Sequence, residues 1–160
     1  MGRQMLEITR NHAWGRDYAV VLDGSTAAHW RRRAWRSGGR VEMDGRTAEL
    51  RSADRGRTFE LRGADGVLAE AHRSGRTWRL RHGGEEYTLE RPSGFGRRSR
   101  RLLRRGDVLG TFTRTRFGRG LTAELGDLPA PAQVFAGLVV LSLWQRQDAA
   151  TAAAVSAGSS

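Results

Sequence analysis

Residues 131–146 (PAQVFAGLVVLSLWQR) restrict the fold of this chain more than any other feature. They are its one long apolar segment, and they follow about a dozen short stretches that read as strands. Val134, Phe135, Leu138, Val139, Val140, Leu141, Leu143 and Trp144 would spread around the whole circumference of a helix. A helix apolar on nearly every side must be buried. Each such side chain is worth ~1.5–3 kcal/mol when fully buried. A helix lying outside a sheet would leave half of them in water. Threaded through a closed sheet it buries them all, and closure removes the strand edges that invite aggregation. Pro131 suits the first helical turn, and Gly137 and Ser142 offer slim points for close strand approach.

Upstream, alternating runs are separated by turn residues. Residues 18–22 stop at Asp23-Gly24. Residues 40–43 and 46–51 flank Asp44-Gly45, a strong hairpin signal because both central positions of a type I′ turn need positive φ. The same reading joins 58–62 to 67–72, 76–81 to 86–91 and 102–105 to 108–114, and 121–125 closes the series. Val20-Val21, Trp30 and the run to Trp35 supply earlier strands. Phe59 and Leu61 share a face opposite Thr58, Glu60 and Arg62. Trp78 and Leu80 oppose Thr77, Arg79 and Arg81, and Tyr87 and Leu89 oppose Glu86, Thr88 and Glu90. One face in the core and one in water is the antiparallel pattern. The expectation is a mainly β, closed antiparallel barrel of about twelve short strands around a buried hydrophobic C-terminal helix. Residues 1–148 form its single domain, 131–146 the central helix, and 149–160 a flexible Ala/Ser-rich tail.

A chain of 160 residues suits one domain with a real core. All 28 basic residues are Arg, against 17 Asp and Glu, for a net charge of +11. Absence of Lys beside abundant Ala and Gly is the mark of a GC-rich genome. That bias explains Arg in place of Lys, and leaves the excess of cations as a field that attracts polyanions. With no Cys, disulfides, thiolate metal sites and Cys nucleophiles are excluded. Residues 1–10 lack the apolar run of a signal peptide, so a cytoplasmic location is expected. Residues 134–144 fall well short of the ~20 apolar residues that a bilayer core requires. Pro129 and Pro131 block extension upstream, and Gln145, Arg146, Gln147 and Asp148 block it downstream. No transmembrane span is expected.

The strand-turn-strand units Leu61-Arg62-Gly63-Ala64-Asp65-Gly66-Val67-Leu68 and Arg105-Gly106-Asp107-Val108-Leu109-Gly110 lead through Asp127-Leu128-Pro129 into the terminal apolar helix. This order resembles the tubby C-terminal-like superfamily, which includes the LURP-one-related proteins and phospholipid scramblases. The resemblance covers 18–146 as architecture. The Leu-Pro-x-Pro-x-x-x-Phe stretch at 128–135 is similar to that of small actinobacterial proteins. The resemblance implies a twelve-stranded antiparallel barrel around a central C-terminal helix. It also implies binding, since tubby domains engage phosphoinositides and scramblases act on phospholipids. No ligand-binding motif of either family carries over residue by residue.

Catalytic constellations are missing. His12, His29, His72 and His82 are scattered, with none paired at ligand spacing. Gly94-Phe95-Gly96 and Gly118-Arg119-Gly120 do not lead from a strand into a helix, as a phosphate cradle would. There is no Gly-x-Ser-x-Gly elbow, and Glu85-Glu86, adjacent on a strand, point to opposite faces. A protein that is not an enzyme, with no metal and no cofactor, is expected. The strongest functional signal is the loop 93–105 (SGFGRRSRRLLRR), with Arg97, Arg98, Arg100, Arg101, Arg104 and Arg105 around Phe95 and Leu102-Leu103. Cations beside exposed apolar groups suit an anionic membrane surface. They also suit nucleic-acid phosphates, with Phe95 as a stacking ring. A second basic cluster, Arg31, Arg32 and Arg33 between Trp30 and Trp35, permits both readings. For any one arginine the plain alternative is a solvated barrel exterior. The expected function is a non-catalytic barrel that contacts an anionic ligand, phospholipid headgroups first, peripherally at a membrane. A nucleic-acid-binding protein or a protein-interaction scaffold is the alternative.

Overall fold

A computed structural model of the chain describes residues 2–12, 15–34, 37–92, 99–115 and 120–158. Twelve strands run in order: β1 (Gln4–Arg10), β2 (Asp17–Leu22), β3 (Ser25–Arg32), β4 (Gly38–Met43), β5 (Arg46–Ala53), β6 (Thr58–Gly63), β7 (Gly66–Ser74), β8 (Thr77–His82), β9 (Glu85–Glu90), β10 (Ser99–Arg104), β11 (Asp107–Arg114) and β12 (Leu121–Leu125). Each pairs antiparallel with its sequence neighbours, and β1 meets β12 in the register Gln4–Leu125 to Ile8–Leu121. The sheet therefore closes into the expected barrel. The alternating runs read from sequence begin at residue 18, so β1 is an addition: Leu6 and Ile8 alternate with Met5 and Glu7 just long enough to bury one face.

Hairpin chemistry follows the turn residues. Asp44 and Gly45 adopt φ of 53° and 69°, and Asp23 and Gly24 of 48° and 81°, the positive pair that a type I′ turn requires. The pleat sends Val20, Trp30, Val41, Leu50, Phe59, Leu61, Leu80, Leu89, Leu102 and Phe112 inward. At Gly39 (φ 140°) an added Cβ would sit 2.0 Å from the Arg31 carbonyl oxygen, so β3 and β4 approach as only glycine allows.

The helix, α1 (Ala130–Gly158), passes through the lumen with residues 132–144 buried on every side. Gly137 brings it against β1, since a Cβ there would lie 2.8 Å from Ile8 Cδ1 and 3.1 Å from Leu6 Cδ2. Two of the polar side chains it buries bond nearby groups. Gln133 Nε2 donates to the Leu128 carbonyl (2.8 Å) and to Gln4, and Ser142 Oγ donates to the Leu138 carbonyl (2.7 Å). The helix runs past Arg146 to Gly158, through the region expected to be a flexible tail, and is exposed from Asp148 onward. Alanines at 149, 150, 152, 153, 154 and 157 extend a helix already nucleated in the barrel at one hydrogen bond per residue. Among the described residues no helix is long and apolar enough to cross a membrane.

The barrel thus has two ends. α1 starts beside Gln4, Leu128 and the β12 terminus. It leaves beside the C-terminal ends of β1, β3, β5, β9 and β11, where Gln145 bonds the Tyr18 hydroxyl and Arg146 reaches Gly56.

Candidate anionic-ligand site

The two basic clusters fare differently once the pleat is imposed. Phe95, Arg97 and Arg98 lie outside the described residues. The rest of the expected 93–105 loop is mostly strand β10 and its hairpin tip, which divides its arginines among different surroundings. Arg100 faces inward and is 6% exposed. Arg101 faces outward and pairs with Glu90 across the β9–β10 ladder (Nε 2.8 Å). Arg104 donates to the Asp127 carbonyl at 3.4 Å, and Arg105 stands at the tip with φ 52°, 4.0 Å from Glu85. Four arginines adjacent in sequence therefore do not share one surface.

The second cluster gains what the first loses. Arg31, Arg32 and Arg33 line an open groove of about 640 Å³ together with Arg16, Arg40 and Arg62, beside a single carboxylate, Glu49. Register assembles it. Asp17, Arg31, Arg40, Glu49 and Arg62 are paired one to the next across β2, β3, β4, β5 and β6, forming a transverse row on the barrel exterior. Arg31 and Arg40 are direct cross-strand partners, a like-charge juxtaposition that is unfavourable unless an anion lies between.

Carboxylates partly compensate these cations. Arg31 is 4.0 Å from Asp17, Arg40 3.4 Å from Glu42 and Arg62 2.9 Å from Glu60. Arg33 pairs with Glu49, which Arg51 also holds at 3.0 Å. The hydrogen bond from Arg51, against the opposing effect of burial, holds the Glu49 carboxyl below the usual carboxylate range. Such exposed pairs are worth only ~0.2–1 kcal/mol each, so an incoming anion can replace them. Arg16 and Arg32 have no carboxylate partner among the described residues.

No protein-family model and no curated protein sequence matches this chain. Its structure is similar to the X-ray structure of a protein from Arabidopsis thaliana, with a TM-score of 0.58 over 88% of this chain and 90% of that one, at 10% identity. That likeness shows the fold alone.

Neither Arg40 nor Arg62 stands out in sequence, because each is one outward residue in an alternating strand. Only the pairing register shows that they join Arg31. Arg16 adjoins β2 and completes the rim. A second concavity, about 870 Å³, lies at the helix-start end between the β4–β5 and β6–β7 hairpins. Met43, Leu61, Leu68, His82 and Pro131 line it, and burial there pushes the His82 imidazole below its ordinary pKa. Among the described residues no three metal-ligating side chains gather.

Proposed function

We propose that this barrel is a non-catalytic module that binds anionic phospholipid headgroups peripherally, using the arginine groove over β3–β6. This reading goes with the tubby-like, LURP-one-related and scramblase-like architecture that the chain resembles, as one of its small bacterial forms. The observation that carries it is the juxtaposition of Arg31 and Arg40 within a rim of six arginines around one carboxylate. Guanidinium forks match phosphate oxygens two at a time, and a groove open to solvent admits a headgroup still attached to its bilayer. Each cation near an anionic leaflet contributes ~1 kcal/mol.

The test is flotation of the purified chain with phosphatidylcholine vesicles of graded anionic-lipid content, at low and high salt. Binding is expected to rise with anionic content and to fall about 100-fold in an Arg31→Gln/Arg33→Gln/Arg40→Gln variant, three contacts at ~1 kcal/mol each. Equal flotation of the variant would exclude the groove. Absence of flotation at any composition, with salt-sensitive binding to nucleic acid instead, would replace the lipid reading altogether.

A further inference from the structure

The inner wall of the barrel, where α1 leaves it, has buried donors without acceptors. Trp30 Nε1, Arg100 Nε and Trp144 Nε1 are shielded from solvent and make no hydrogen bond. They stand near the C-terminal end of β3, at the start of β10 and at the last buried residue of the helix. Two other arginines at this end show what a satisfied cation looks like. Arg146 donates to Ser37 Oγ (2.8 Å), Ser52 Oγ (2.7 Å) and the Gly56 carbonyl (2.7 Å), with its guanidinium 4.4 Å from the Phe59 ring centre. Arg114 pairs with Asp148 and lies 5.8 Å from the Trp144 ring centre.

Arg100 has nothing comparable. It is 6% exposed on the inward face of β10, opposite Phe112 of β11, with no hydrogen bond or ion pair among the described residues. On its other side the ladder runs from Arg101–Glu90 toward Arg91, which follows β9. Arg91 adds a charge of the same sign to its surroundings. Burial first, and Arg91 second, bring the Arg100 guanidinium down to about 10, so it is still cationic at neutral pH. Glu90, the adjacent carboxylate, is already engaged with Arg101 on the outer face. Removing a charge from water is unfavourable unless it is paired and hydrogen-bonded. A buried, unanswered guanidinium whose surroundings hold a second cation calls for a small acceptor carrying close to two negative charges.

We infer that Arg100, with Arg91 beside it, anchors a small oxyanion site in the barrel wall beside the helix exit, taking a phosphate or phosphomonoester group. A phosphate at pH 7 carries ≈ −1.5 to −2, which matches the two guanidinium charges, and its oxygens suit their N–H forks. The site is separate from the exterior groove, which lies over β3–β6, whereas Arg91 follows β9 and Arg100 belongs to β10.

Thermal unfolding of the purified full chain tests this, starting in phosphate-free buffer. One arm adds inorganic phosphate against chloride at equal ionic strength; the other adds phosphatidylcholine vesicles with and without phosphatidic acid. Wild type is expected to gain about 3–6 °C at ~10 mM phosphate. Arg100→Met should lose that gain and be at least as stable as wild type without phosphate, since Met replaces an unanswered cation. Arg91→Gln should diminish the gain, and Arg31→Gln/Arg33→Gln/Arg40→Gln should keep it in full, whatever becomes of vesicle binding. A gain with phosphatidic acid alone, lost in Arg100→Met, would make a lipid phosphate the ligand. No gain in either arm overturns the site, as does an equal gain in Arg100→Met. If that variant fails to fold, an unchanged gain in Arg91→Gln overturns it.

Discussion

Truncating four consecutive helix residues, one at a time, tests the threaded helix directly. Leu138, Val139, Val140 and Leu141 are 0–1% exposed, and successive helix residues are rotated by about 100°, so together they sample the whole circumference of α1. Each Leu→Ala change removes buried methyl groups and leaves a cavity, at a cost of about 2–5 kcal/mol. Each Val→Ala change removes two carbons at ~0.8 kcal/mol apiece plus a smaller cavity, about 2 kcal/mol in all. With a urea m-value near 2 kcal/mol/M, every one of the four variants should move the unfolding midpoint down by about 1 M or more at unchanged m. A helix lying against the outside of a sheet would turn at least one of these positions to water, where truncation costs under ~0.5 kcal/mol. One variant within about 0.25 M of wild type would refute the threaded arrangement. Leu138→Asp sharpens the test, because an unpaired carboxylate at the barrel centre should abolish soluble folded protein.

Gly39→Ala and Gly45→Ala both replace glycines at positive φ, but an added Cβ meets the Arg31 carbonyl at 2.0 Å in the first case and nothing within 4 Å in the second. Chemical denaturation should show a loss of about 1 kcal/mol at Gly45 and ~3 kcal/mol or more at Gly39, and equal losses would contradict the close β3–β4 approach. Arg146→Met removes three hydrogen bonds at the helix exit and leaves the Gly56 carbonyl without its donor, so about 2–4 kcal/mol should be lost. A change under 0.5 kcal/mol, on the order of a surface substitution, would show those bonds to be exchangeable with water. His82, lowered by burial from an ordinary 6.5, binds its proton more readily unfolded than folded. Its share of stability is therefore complete above pH 6.5 and lost as pH falls through the lower folded value, a slope that His82→Gln should flatten in urea midpoints between about pH 7.5 and 5.5.

How far the fold could be read from sequence depended on which physical constraint was local. Asp44-Gly45 announces its turn because positive φ is a property of those two residues, and the buried helix announces itself because eight apolar side chains surround it. Strand β1 was harder to see, since only Leu6 and Ile8 mark its inner face. The groove was half legible: the adjacent Arg31, Arg32 and Arg33 drew notice, while Arg40 and Arg62 become their neighbours only through pairing between strands. The loop 93–105 shows the complementary case. Density of arginine along the chain takes no account of the pleat, which points Arg100 inward and Arg101 outward from one strand.

The filled lumen then limits where any ligand can bind. In wide barrels the interior is the binding cavity, but here Phe135, Leu138 and Trp144 occupy it, so recognition is left to the exterior and the two ends. The same packing holds the exterior pattern in place. Sliding β3 by one residue against β4 would carry Trp30 out of the core and turn Arg31 into it, a cost no exposed ion pair could offset. The opposition of Arg31 and Arg40 is thus imposed by the core residues beneath it. The row of charge across β2–β6 keeps its spacing without a ligand, so an anion arriving at the groove meets cations already in place.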